Sequence, residues 1–304
     1  MSDLWPPLPY PAWKDTYETL HRWTQIAGKV RLARTPLVNH WWNVTFRPTP
    51  SGLTSREMPD ESGAFTMDFD FLRHRLRIAT SRGDAREIFL APKSVADFYA
   101  EVRSALSDLG IAVRIWPMPV EIPDPVRFDL DHEHAAYDPE AVERLHRILL
   151  SASHVFERFR AGFLGKSSPV HFFWGSFDLC VTRFSGRRAP ERPEADRMTR
   201  EAYSHEVASV GFWPGGGPVP EPAFYAYAAP EPDGFRASAV RPSAAYYHAE
   251  LKEFLLPYEA VRTSRDPEGD LLAFCQSAYD AAADLARWDR AALERPPLDP
   301  VRLR

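Results

Sequence analysis

Only two of the 304 residues are cysteine, Cys180 and Cys275. Two thiols cannot build a disulfide framework, so cohesion must come from burial, and a cytoplasmic location is expected. Nowhere does the chain hold the run of about 18 apolar residues that a membrane helix needs, so no membrane partner is expected. The segment Met1–Pro11 has no basic stretch leading into an apolar one, so no secretory signal is expected either. A basic excess is also missing: 37 Lys and Arg stand against 42 Asp and Glu, a net charge of −5. That balance argues against nucleic acid as the main partner.

Compact catalytic signatures are missing too. There is no His-Glu-x-x-His pair. Gly165-Lys166-Ser167 lacks the earlier glycine of a phosphate loop, because Arg160 stands there, and it follows a helical pattern where that motif needs a strand. Gly175-Ser176-Phe177 lacks the flanking glycines of a nucleophile elbow. Gly215-Gly216-Gly217 has no dinucleotide spacing and reads as a flexible turn.

Proline and aromatic residues are abundant instead: 29 prolines, and 13% Phe, Trp and Tyr. Such a chain can bury a large core, which excludes disorder. The alternation of prolines with apolar residues over Leu4–Pro11 predicts an extended strap. A helix follows, from Ala12 or Asp15 to Ala27, with Trp13, Tyr17, Leu20, Trp23 and Ile26 on one face and Gly28 as its stop. Val38–Phe46, Ala64–Phe71, Leu76–Thr80, Glu87–Leu90 and the short Val113–Trp116 read as strands. Ser94 is placed to cap a helix that reaches Leu109 and ends at Gly110. The proline-marked Pro117–Pro125 is a connection.

Asp138 and Pro139 then open a long helix to Phe163. Val170–Phe184 is strand-like, with Gly175 as a bulge or turn, and the charged Gly186–Arg197 predicts a mobile loop. Ala202–Phe212, Ala223–Ala228 and Glu253–Leu256 read as strands. A last helix spans Glu268–Trp288, with Leu271, Leu272, Cys275, Ala278 and Tyr279 inward. The proline-bearing tail after Arg290 should be partly extended.

The two parts echo one another. Gly28-Lys29 precedes Pro36 and His40-Trp41-Trp42, as Gly165-Lys166 precedes Pro169 and His171-Phe172-Phe173. Phe89-Leu90-Ala91-Pro92 resembles Phe254-Leu255-Leu256-Pro257. The expected architecture is α+β, in two similar halves over residues 1–125 and 126–304. Each would be an antiparallel sheet backed by helices, arranged as a duplicated unit and packed as one compact body.

Several strings are similar, taken together, to a known group. They are Thr19-Leu20-His21-Arg22-Trp23-Thr24-Gln25, Asn39-His40-Trp41-Trp42, Met67-Asp68-Phe69-Asp70-Phe71 and Ser94-Val95-Ala96-Asp97-Phe98-Tyr99. Ser168-Pro169-Val170-His171-Phe172-Phe173-Trp174-Gly175-Ser176-Phe177-Asp178 and Thr199-Arg200-Glu201-Ala202-Tyr203-Ser204-His205-Glu206 belong with them. Over nearly the whole length the chain resembles a bacterial family catalogued only as a domain of unknown function. The resemblance implies one coherent protein and names no chemistry.

Strand alternation supplies the candidate site. His40 would share its face with Trp42, Val44 and Phe46; His171 with Phe173, Phe177 and Leu179; His205 with Tyr203 and Val207. Three imidazoles converging in an apolar pocket between the halves would suit Zn or Fe as metal ligands. Asp178, Glu206 and Arg183 would join His171 as catalytic residues, Asp178 as general base and Arg183 binding a charged substrate or pairing with Asp178. Each has an ordinary alternative. A histidine on an apolar strand face is more often a core residue with a hydrogen bond, and Glu206 and Asp68 are more often a solvated strand face. The cluster Asp129, Asp131, His132, Glu133 and His134 has metal-ligand composition without fixed geometry, and Cys180 reads as a packed thiol. Trp41, Trp42, Trp174 and Trp213 would line either a ligand pocket or a core. Two functions follow: a small-molecule enzyme with a histidine-based, metal-dependent site, or a non-catalytic small-molecule-binding or assembly protein with structural histidines.

Overall fold

The computed structural model describes residues 4–217 and 219–296. Contacts divide the chain into two units. Unit 1 holds the chain to Leu150 together with His171–Asp178 and Pro214–Pro220; unit 2 holds Ser151–Val170, Leu179–Trp213 and the chain from Glu221. The described residues form an α+β structure with two six-stranded antiparallel sheets. Residues 297–304, which include most of the predicted extended tail, lie outside the described residues.

Unit 1 opens with helix α1 (Tyr10–Arg34), then strands β1 (Arg47–Thr49), β2 (Gly52–Thr54), β3 (Met58–Asp60), β4 (Gly63–Asp70), β5 (Arg75–Thr80) and β6 (Ala85–Phe89), and helix α2 (Val95–Asp108). The first sheet has the order β1-β2-β4-β5-β6, with β3 also on β4. Its central strand alternates as the pattern requires. Phe65, Met67 and Phe69 are buried, while Asp68 accepts hydrogen bonds from the Thr66 and Thr54 hydroxyls on the other face. Each fully buried side chain of this kind contributes roughly 1.5–3 kcal/mol. Trp23 of α1 stacks on Phe98 of α2 at 4.6 Å and on Tyr137 at 5.6 Å. The Ser94 hydroxyl accepts from the Asp97 amide at 3.0 Å, and Gly110 at φ 75° ends α2, as the sequence predicts.

Two expectations in this unit are corrected. Gly28 does not stop α1, which continues to Arg34; it is a point of close approach for Trp174. Val38–Phe46 is not a strand. Asn39–Trp41 form a 3-10 turn in which His40 (φ 57°) and Trp41 (φ 61°) are left-handed. The Asn43 amide fixes that turn, accepting from the Val38 N–H at 3.2 Å and donating to the Thr35 hydroxyl at 3.1 Å. Val113–Trp116 is not a strand and joins neither sheet.

Helix α3 (Pro139–Ala161) starts where Asp138 accepts from the Glu140 amide. Strand β7 (His171–Phe173) leads through a turn at 174–177, with Phe177 at φ 57°, into β8 (Asp178–Arg188). Next come α4 (Arg197–Ala202), β9 (His205–Trp213), β10 (Ala223–Ala229), β11 (Tyr246–His248) and β12 (Glu253–Pro257). Helices α5 (Tyr258–Arg262), α6 (Pro267–Leu285) and α7 (Arg290–Leu293) complete the chain. The second sheet has the order β11-β12-β10-β9-β8-β7.

In unit 2 the segment predicted to be a loop, Gly186–Arg197, carries the end of β8 up to Arg188 and the first residue of α4, and is loop over residues 189–196. Ala202 closes a short helix rather than opening a strand, because Asp196 caps that helix by accepting from the Met198 and Thr199 amides. The Arg290–Leu293 part of the tail is helical rather than extended.

Candidate functional site

The site argument begins on α1. Its run Thr19–Arg31 is buried on every side, although it contains seven polar or charged residues. Buried polar groups must find partners, and here nearly all do. Thr19 and Thr24 donate to the Asp15 and His21 carbonyls. His21 Nε2 lies 2.8 Å from the Gly175 carbonyl, which can only accept, so Nε2 carries the proton. Gln25 donates to the Val120 carbonyl and accepts from its amide, both at 2.8 Å. Arg22 pairs with the buried Asp131 at 3.3 Å, and Arg31 donates to the Glu57 carbonyl. Burial holds His21 down at about 4, so it stays neutral.

Lys29 is the exception. It is 5% exposed, and its ammonium meets only two indole faces, Trp116 at 5.1 Å and Trp174 at 5.9 Å. No ion pair or hydrogen bond joins it to any described residue, and burial lowers it to about 8.

Beside this run lies a cleft of about 590 Å³, with Ile26 and Val30 of α1 and Val102 and Leu106 of α2 on its apolar side. Arg103, Arg114, Arg127 and Asp129 supply its charge. Arg127 takes Asp129 through two hydrogen bonds, at 3.0 and 2.8 Å, and this holds the carboxyl of Asp129 below its ordinary range. Arg103 lies over the Tyr99 ring at 5.7 Å. Arg114 makes no ion pair or hydrogen bond with a described residue. With the single carboxylate already paired, the cleft carries surplus positive charge.

The histidines predicted as metal ligands take different places. His40 and His171 both lie near Trp42, with ring centroids 5.4 and 6.4 Å from its ring. His171 is 1% exposed, with Nδ1 3.2 Å from the Thr45 hydroxyl. That hydroxyl donates to the Trp42 carbonyl, so His171 Nδ1–H donates to it. Burial holds His171 well below the ordinary histidine value. His205 belongs to unit 2, is half-buried, and has the Ser204 hydroxyl 3.0 Å from Nδ1. Among the described residues no group of three or more His, Cys, Asp or Glu side chains is placed to hold a metal ion, the trio His40, His171 and His205 included.

Asp178 accepts from the Ser176 hydroxyl at 2.5 Å and is 5% exposed. Arg183 lies in the core of unit 2, its guanidinium 3.5 Å from the Phe159 ring and 4.3 Å from the Tyr279 ring, with Nη2 donating to the Phe159 carbonyl. Glu206 accepts from Arg187 at 2.9 and 2.7 Å. Its pair stands at a pocket of about 210 Å³ lined by Val207, Pro230 and Trp288. Within the cluster 129–134, Asp131 is fully buried as the counter-ion of Arg22 and a partner of His134 at 2.9 Å.

Fold and cleft together define an α+β protein with a recess lined by three arginines, one aspartate and apolar side chains of two helices. The chain belongs to the family of unknown function DUF5996, whose model matches residues 5–295. No curated protein and no solved structure matches it. Sequence reasoning missed Lys29, Trp116, Arg103, Arg114 and Arg127. One signal was present: lysine occurs at only five positions, 14, 29, 93, 166 and 252, among the 37 basic residues.

Proposed function

We propose that the protein is a non-catalytic small-molecule-binding protein, that its histidines are structural, and that unit 1 takes an anionic ligand in the cleft beside α1. The observation that carries this reading is the charge of the cleft: three arginines, one carboxylate already bound by Arg127, and Arg114 without a protein partner. Small-molecule sites combine apolar walls with a few placed polar groups, and a planar guanidinium is suited to carboxylate or phosphate. The buried, neutral His21 and His171, each hydrogen-bonded inside the protein, support the structural role for histidine.

Calorimetric titration with small carboxylates and phosphate monoesters tests the reading. Saturable binding that weakens with salt is expected, and Arg114→Glu should weaken it at least tenfold, since a charge-assisted hydrogen bond contributes about 1.5–3 kcal/mol. Unchanged binding by the Arg114→Glu protein, or no binding to any of these anions, would overturn it.

A further inference from the structure

The carboxylate of Glu206 is only half used. Nε and Nη2 of Arg187 both donate to its Oε2, at 2.9 and 2.7 Å, while Oε1 accepts from no described residue. The pair is held in place, because Arg187 also donates to the Ala286 and Arg287 carbonyls just past the end of α6. An ionised carboxylate offers about four lone-pair positions, so Glu206 keeps acceptor capacity to spare. That capacity stands at a cavity, since Glu206 lines the pocket of about 210 Å³ in unit 2.

The rest of that pocket is apolar. Pro230, Pro232 and Trp288 give it ring-bearing walls, and Ala228, Ala282 and Ala286 leave it open where longer side chains would close it. Protein interiors pack as densely as organic crystals, so alanines around a recess, in a chain with 13% aromatic residues, keep space there. An apolar cavity of about 150 Å³ takes one benzene ring. This pocket therefore has room for one ring or a fused pair, and too little for a drug-sized molecule, whose pockets begin near about 300 Å³. Charge narrows the ligand further. Arg187 already neutralises the carboxylate, so a cation would face the guanidinium and an anion would face Glu206, and a charge buried without its own partner is costly.

We propose that this pocket binds a small neutral arene carrying one N–H or O–H, with the ring against Pro230 and Trp288 and the donor on Oε1 of Glu206. Indole is the simplest bicyclic member of the class: flat, uncharged, and bearing a single donor and no acceptor that would need a partner. The two parts of the site do different work. Burial of the ring supplies affinity, to which contact with the Trp288 ring adds. The hydrogen bond to an ionised acceptor is stronger than one between neutral groups, so it selects donor-bearing rings over plain hydrocarbons. The pocket shares no residue with the arginine cleft of unit 1, and the assignment does not rest on that cleft.

The test titrates the full-length protein by calorimetry with indole and, separately, with benzofuran, which has the same shape but an oxygen in place of the N–H. One indole per chain is expected to bind, with benzofuran at least tenfold weaker, because it leaves Oε1 without a donor. Ala286→Leu sets a larger side chain into the half-buried edge of the pocket and should abolish indole binding. The comparison of the two ligands on the wild-type protein stands even if that variant fails to fold. No saturable binding of indole would overturn the proposal. Equal affinity for indole and benzofuran would overturn it too, by removing Glu206 from recognition. Unchanged indole binding by a folded Ala286→Leu protein would place the ligand outside this pocket and overturn it as well.

Discussion

Trp174 packs its ring against the backbone of Gly28, so closely that a Cβ on Gly28 would lie 2.3 Å from the ring. The same indole donates to the Val44 carbonyl at 2.7 Å and forms one wall around Lys29. Gly28→Ala should therefore destabilise the protein, because overpacking costs about 1–3 kcal/mol and outweighs a helix-propensity gain of roughly 1 kcal/mol. Urea denaturation of Gly28→Ala, with and without Trp174→Ala, checks this. On the Trp174→Ala background the glycine substitution should become neutral or stabilising.

The buried histidines make stability depend on pH. His21 titrates at about 4 in the fold against about 6.5 in an unfolded chain. Below about 6.5 the unfolded state binds a proton that the native state refuses, so stability is full above that pH and falls toward 4. The loss from His21 alone is about 3 kcal/mol at pH 4, and His171, lowered for the same reason, adds to it. Denaturation between pH 7 and 4 should show this slope, and His21→Gln should flatten it.

Structural histidines also predict the outcome of metal analysis. Elemental analysis after gentle purification should find less than about a tenth of an equivalent of Zn or Fe, since protein sites for such ions bind tightly. His171→Ala should lower the unfolding temperature without changing anion binding. A stoichiometric metal lost in His171→Ala would favour the enzyme reading.

Arg183 lies among Phe159, Phe163 and Tyr279. Arg183→Ala should cost about 3–5 kcal/mol through the space it leaves, while Arg183→Met, which fills the space and removes a buried charge, should cost much less. Neither should alter the calorimetric affinity of the cleft. A selective affinity loss in Arg183→Met at unchanged stability would place Arg183 in a binding role.

The parts of the fold legible in the sequence are those written locally. Ser94 and Gly110 bound α2, Asp138 opens α3, and the alternation over 64–70 gives the inward face of β4. The failures have tertiary causes. Gly28 reads as a stop signal, yet it stands inside α1, where its missing side chain leaves room for the distant Trp174. Val38–Phe46 has strand composition, but Asn43 hydrogen bonds curl it, so period-two reasoning could not orient His40. The motif echo likewise separates in three dimensions: Gly28-Lys29 is inside α1, whereas Gly165-Lys166 follows α3. Lys29 and Arg114 carry no local motif. They matter because of the groups that the fold brings, or does not bring, to their charges.

From Thr19 to Arg31, α1 has no side toward water. Its amide hydrogens then have no local route to solvent, because fraying is confined to the helix ends and every flank is covered. In deuterated water these amides should be the last of unit 1 to exchange, at a rate set by the opening of the whole unit. The helix buried deepest in unit 1 by this measure is then also the clock by which the unit's global stability can be read.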